Sequence, residues 1–345
     1  MRLFTLIAAL LAVLPLQAAR PRPLSDEAVR TAMKSATTFM VEQVSNHGGY
    51  LWNYAPDFSR VWGELECKPT MMWIERGTPA MGNIFLDAYH ATGDEYYFQA
   101  AEQAAAALVW SQLSCGGWNY MADFAGEASL KDWYERVAAG YQYCAQEHLH
   151  YSGNATFDDG TINDGVHTGN IRFLLDCWRI LGEERVLEPI RRAMHCVLVL
   201  QGGKPLYLHR GDGKYWVDYD PHNLITHYRS YRTINIGPLR KRYEALLETS
   251  VEEATKDSPF RADAAPFSYP AQYSRGSGIP EREESIRALV EALSTDKPWW
   301  PGGLPGVSHE NPGFSDAPLP AECISTWTYM QNMTRLINYL MKTEI

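Results

Sequence analysis

The sequence predicts an all-α chain of antiparallel helical hairpins, and three observations carry that prediction. Helical periodicity recurs along the chain while strand signals are scarce. Residues 86 to 112, LDAYHATGDEYYFQAAEQAAAALVWSQ, align without gaps on 175 to 201, LDCWRILGEERVLEPIRRAMHCVLVLQ, and each copy reads as helix, turn, helix. The segments NHGGYLWNY, SCGGWNY and LQGGKPLY each follow a helix with Gly-Gly and a bulky or proline-containing stretch. Successive hairpins with equivalent ends on one side suit a ring of helices, an α/α toroid, here an incomplete ring with long loops; an open solenoid is the alternative.

Each element has its own signal. Ser25 can cap a helix running to about Ser45, with Val29, Met33, Ala36, Met40 and Val44 along one face. In the repeat, Gly93 and Gly182 supply the left-handed residue after the first helix, and the following acid favours the next helix start. The first glycine of each Gly-Gly pair can end its helix in the left-handed region, and the second lets the chain cross the ends of its neighbours. After Glu248 the regularity fades. SPFRADAAPFSYPAQYSRGSGIP and DKPWWPGGLPGVSHENPGFSDAPLP are rich in Pro, Gly and aromatics and read as long ordered loops. The helix TWTYMQNMTRLINYLMK closes the chain, and no linker divides it.

Met1 to Ala19 reads as a secretory signal: Arg2 supplies the basic start, Leu3 to Leu16 the apolar core, and Ala18-Ala19 the small cleavage residues. That core is too short to span a bilayer, so residues 20–345 are expected as one exported domain, secreted or periplasmic, without stable membrane insertion and monomeric. An uncleaved anchor is the alternative. Without Arg2 the chain has 30 basic and 41 acidic residues, a net charge of −11, which argues against nucleic acid as a partner. Cys67, Cys115, Cys144, Cys177, Cys196 and Cys323 are even in number, so disulfides are open to an exported chain. The absence of C-x-x-C argues against a structural zinc.

Thr-Ile-Asn-x-Gly occurs twice, at 161–165 and 233–237, each time at the mouth of a helix. With HGGYLWNYAPDFSRVWGE and the segment from Gly77 to Tyr120, TINDGVHTGNIRFLL resembles the family 10 pectate lyases over roughly residues 47 to 201. The resemblance implies an exported α/α-toroid enzyme that cleaves polygalacturonate by calcium-assisted β-elimination. The leading acid of the family motif falls on Asn163 here, followed by Asp164; His167, Thr168, Gly169 and Asn170 stand at the helix start, and Arg172 and Phe173 are retained. The substrate contacts implied are Asn163, Asp164, His167 and Arg172. The family's active arginine lies in a late loop, and the arginines that can take that role here are Arg229, Arg232 and Arg275.

The chemistry itself sets requirements. Elimination removes the C5 proton beside the uronate carboxylate and expels O4, so charge builds on that carboxylate and needs a cation. Calcium takes several oxygen ligands, including carboxylates. NATFDDGTINDG offers Asp158, Asp159 and Asp164 as metal ligands, while helix capping is the plain role open to the same acids. A histidine, His222 or His227, is the easier base at neutral pH, and a surface ion pair is the plain role for each arginine. Trp52 and Trp118, after the Gly-Gly turns, can stack on sugar faces or fill the interior, as can Tyr50, Tyr54, Tyr120, Trp299 and Trp300. An acidic polysaccharide is the expected partner. A glycoside hydrolase using two carboxylates such as Asp158 and Asp164, or a non-catalytic glycan binder, would suit the same scaffold.

Overall fold

The computed structural model describes residues 23–63, 66–74, 76–113, 116–118, 120–130, 132–133, 166–182, 184–201, 209–210, 214–215, 237–250, 253, 282–303 and 318–343. The opening helix α1, Asp26–Phe39, starts as its sequence requires, with Ser25 Oγ accepting from Ala28 N at 3.2 Å and Asp26 and Glu27 in its first turn. It ends in a π-helical turn, Met40–Val44, where Ser45 N donates to Met40 O at 2.9 Å. Val29, Met33, Ala36, Met40 and Val44 are all buried along one side, as the spacing predicts.

The repeat becomes two neighbouring hairpins. Helices α2 (Thr78–Thr92) and α3 (Glu95–Trp110) form the first copy, α4 (Val166–Leu181) and α5 (Leu187–Gln201) the second. Gly93 and Gly182 take φ of 68° and 63° directly after α2 and α4. Asp94 then caps α3 by accepting from Tyr96 N at 2.9 Å. Among the described residues three further helices follow: α6 (Gly237–Leu247), α7 (Glu283–Glu291) and α8 (Thr326–Thr343). The sequence reading named the last and left α7 unassigned.

Contacts arrange these helices in two rows. The inner row runs α8, α2, α4, α6, each packed on the next. Behind it lie α1, α3 and α5 as outer helices, with α7 against α1 and α8. The outer helices share one direction. Lys34 on α1 meets Asp94 before α3 and Gly48 past α1 meets Gln103 inside α3, while Glu102 meets Arg185 and Leu113 O meets Arg192 of α5. The hairpins therefore run α2 and α4 the opposite way. This alternation of inner and outer helices is an arc of an α/α toroid, with the N-terminal chain beside the C-terminal helix, where Thr37 Oγ1 and Tyr329 Oη lie 2.6 Å apart.

The Gly-Gly turns do something other than end helices. Gly48 and Gly116 lie several residues past α1 and α3, at φ 83° and 89°. A Cβ on Gly48 would collide with Gln103 O, and one on Gly116 with Arg192 O. The first glycine of each pair thus supplies both the left-handed turn and the close crossing of the next outer helix, at equivalent places in the repeat. The third pair, Gly202-Gly203, lies outside the described residues.

Short strands tie the chain together where the sequence showed few strand signals. Strands β1 (Asn53–Tyr54), β2 (Val61–Trp62) and β3 (Glu66–Cys67) join β8 (Pro301–Gly302) and β9 (Cys323–Ser325) in an antiparallel sheet of order β3-β2-β1-β9-β8. Strand β4 (Met71–Trp73) pairs with β5 (Met121–Asp123), and β6 (His209–Arg210) with β7 (Lys214–Tyr215). At two or three residues each, they fall below the length at which period-two patterning shows. Of the cysteines, the side chains of Cys67, Cys177 and Cys323 are described, and all three are buried and unbridged. Among the described residues no helix is long and apolar enough to cross a membrane.

Candidate functional site

The inner helices α8, α2 and α4 begin at a common end. Thr326, the first residue of α8, donates from N and Oγ1 to Trp52 O, each at 3.0 Å, which places the α8 start beside β1 and past the end of α1. At the head of α2, Thr78 Oγ1 accepts from Tyr50 N at 3.0 Å and lies 3.2 Å from Trp73 O. At the head of α4, His167 Nε2 lies 3.0 Å from Ala193 O of α5. Arg242 of α6 pairs with Asp176 in the later half of α4, and Tyr243 feels Glu188 and Arg191 near the head of α5. These contacts lay the middle of α6 against α4 and the head of α5. In the sequence both Thr-Ile-Asn-x-Gly copies lead directly into inner helices, α4 and α6, which are packed neighbours.

The described floor of this end is braced rather than reactive. Arg60 grips Glu66 through Nε to Oε1 at 2.9 Å and Nη2 to Oε2 at 2.8 Å, with its guanidinium 5.1 Å from the Trp62 ring. Trp133 Nε1 donates to Glu66 O at 2.9 Å. Cys323 Sγ donates to Gly303 O at 2.9 Å, and burial pushes its thiol up to about 11, so it stays protonated at neutral pH.

Four residues expected at the site can be followed here. His167 is 1% exposed, with its ring 5.5 Å from Trp118 in an edge-on arrangement. Burial lowers its pKa to about 4, against a smaller upward pull from the Ala193 carbonyl. The imidazole is therefore neutral and ties α4 to α5. Trp118 is fully buried and donates from Nε1 to Leu108 O at 2.8 Å; of its two roles, it takes the interior one. Trp52 is half-buried against Trp73, with ring centroids 5.3 Å apart. Arg172 is exposed on α4, and neighbouring Gly169 has open space where a Cβ would stand. Asn163, Asp158, Asp159, Asp164, Arg229, Arg232, Arg275, His222 and His227 lie outside the described residues. Among the described residues no group of three or more His, Cys, Asp or Glu side chains is placed to hold a metal.

Other polar residues on the inner helices went unread. Asn83, Asp87 and His90 recur at i, i+4 and i+7 on one face of α2, and Asn83 and Asp87 are buried. Asn170 on α4 is fully buried, with no hydrogen-bond partner for its amide oxygen or nitrogen. Their sequence signal is the set of polar breaks in an apolar run, TPAMGNIFLDAYHAT, which the apolar periodicity of the repeat outweighs. Trp110 was passed over for the opposite reason: it sits within a helical pattern yet is 54% exposed at the end of α3.

No protein-family model matches the chain, and no curated protein does. Solved structures give remote likenesses. A possible member of the GH105 family from Salmonella enterica is 15% identical, covering 98% of this chain and 100% of that one at a TM-score of 0.32. The type II terpene cyclase MstE from Scytonema is 11% identical, over 93% and 99%, at 0.30. An inactive variant of the α-1,6-mannanase GH76A of Salegentibacter, in complex with α-1,6-mannotriose, is 12% identical, over 92% and 99%, at 0.27. TM-scores of this size carry no inference, and the architecture rests on the chain's own helix contacts.

Proposed function

We propose that the protein is an exported polysaccharide-lyase-like enzyme that cleaves an acidic, uronate-containing glycan, pectate first, by β-elimination. The observation that carries this reading is the adjacency of α4 and α6. The two helices that follow the Thr-Ile-Asn-x-Gly copies are neighbours in the inner row. Helix starts favour anions through their free N–H groups and dipoles, so a polyuronate suits such starts despite the overall negative charge. In the proposed reaction a base takes the C5 proton, the electron pair forms the C4–C5 double bond, and O4 leaves with its glycosidic partner. Arg229, Arg232 and Arg275 are the candidates for taking the proton or holding the carboxylate, and Asn163, Asp164 and the exposed Arg172 for binding the sugar. A calcium ion would stabilise the charge developing on the carboxylate, with Asp158, Asp159 and Asp164 as its proposed ligands.

The test is incubation of the purified protein with polygalacturonate, with calcium and with chelator. The expected result is ultraviolet absorbance from an unsaturated product, lost on chelation. New reducing ends without that absorbance would overturn elimination in favour of hydrolysis, and binding with neither product would leave a glycan-binding protein. Asp159→Ala and Asp164→Ala should weaken uronate binding beyond the ~1 kcal/mol of stability that a lost helix cap costs.

A further inference from the structure

Trp110, the last residue of α3, leaves an indole exposed to water. Large exposed apolar side chains among the described residues are Trp110, Trp327 and Leu247. The two indoles share one end of the helix layer. Trp110 finishes an outer helix and Trp327 is the second residue of the inner α8. Leu247 is the last residue of α6.

The Trp110 ring is backed by a fixed platform. Phe124 stacks on it with centroids 4.6 Å apart and planes at 25°. Phe124 is itself held: the His47 ring lies 5.1 Å away, and a Cβ on Gly49 would come within 2.9 Å of Phe124 Cε2. Its backbone N donates to Thr70 O at 3.0 Å, and the next residue is clamped by Ala125 N donating to Asp123 Oδ1 at 2.9 Å. His47 and Gly48 both take left-handed φ, 50° and 83°, to bring this turn against α3. A rigid, uncharged ring surface of this kind loses little entropy on binding. Its apolar face and single N–H edge match the C–H face and hydroxyl rim of a pyranose. Ala106 and Ala107, one turn back on α3, and Ser111 after it are small, so no further large apolar side chain of α3 extends the surface and it suits one ring more than a protein surface.

We propose that Trp110, backed by Phe124, is a stacking subsite for one pyranose ring of the glycan chain, away from the bond that is cleaved. This rests on the glycan reading above. A subsite of this kind acts on long chains and is silent for short ones.

Isothermal titration of the full protein with galacturonate oligomers of two lengths tests it, using wild type, Trp110→Ala, Trp110→Phe and Leu247→Ala. Trp110→Ala should bind the long oligomer roughly three- to tenfold more weakly and the short oligomer as wild type does. Trp110→Phe should keep most of the affinity, and Leu247→Ala all of it. The long oligomer should shield wild-type tryptophan fluorescence from acrylamide, and Trp110→Ala should lose that increment. Equal binding of the long oligomer by wild type and a folded Trp110→Ala removes the subsite and leaves the glycan reading intact. Wild type that binds neither oligomer overturns the glycan reading itself, and the subsite with it.

Discussion

The two copies of the repeat share a backbone plan and differ in what stands at equivalent positions. Thr78 and His167 occupy the same place, at the heads of α2 and α4, and both are buried tethers. Thr78 binds the preceding loop through Tyr50 and Trp73, whereas His167 reaches across to the carbonyl of Ala193. One turn further on, Asn83 is buried while its counterpart Arg172 is exposed. Asp87 and Asp176 correspond, and both are buried, the second paired with Arg242 and Arg179. Gly48 and Gly116 cross the next outer helix at matching residues, Gln103 and Arg192. The repeat therefore preserves places where backbone must approach backbone, and varies the side chains that tether and line the helices. Repetition of this kind points to architecture at the glycines and to local adaptation at the helix heads.

The largest effect should come from the shared crossing. Gly116→Ala adds a Cβ against Arg192 O at φ 89°, where strain and overlap combine, and roughly 4 kcal/mol of stability should be lost. A denaturant melt within 1 kcal/mol of wild type would show that the crossing is softer than its geometry implies.

A titratable tether should separate the second copy from the first. Burial depresses the pKa of His167 to about 4 from an ordinary 6.5, so between those values the unfolded chain binds more protons than the folded one. Its contribution to stability is complete above pH 6.5 and falls as pH drops toward 4, by about 3 kcal/mol across that window. His167→Gln should remove this part of the pH dependence; an unchanged profile of melting against pH would place the titration elsewhere. Thr78→Val, at the equivalent position, should cost about 2 kcal/mol by stranding the Tyr50 amide and leave the pH profile unaltered. Gly93→Ala sharpens the glycine comparison, since it shares a left-handed φ of 68° but has nothing within 4 Å of its Cβ. Its loss should be about 1 kcal/mol, the backbone term alone.

These contrasts show how much could be read in advance. Ser25, the apolar stripe of α1 and the left-handed roles of Gly93 and Gly182 were legible because each depends on residues within a turn or two of one another. The inner and outer rows followed from the repeat, since hairpins that each expose an apolar face must stack. Of the candidate site, the sequence located the helix starts and named the residues beside them. It left open whether Trp118 faces a groove or the interior, and it assigned His167 to the substrate, whereas that ring is buried between α4 and α5. A ring after a Gly-Gly turn, as at Trp118, has the same local signature in both cases, and the carbonyls of Leu108 and Ala193 that hold Trp118 and His167 are supplied from elsewhere in the chain.

The sequence by itself determined the helices, their pairing into copies and the turns that join them, because periodicity, capping and glycine's freedom at positive φ are short-range properties. The tertiary structure alone decided the pairing of β1 with β9, which brings Asn53 opposite Ser325. It also decided which glycine of each pair makes the crossing, and that Trp110 stays in water with Phe124 behind it. Each of these depends on atoms far apart in the chain whose approach is set by packing, and no local pattern encodes that distance.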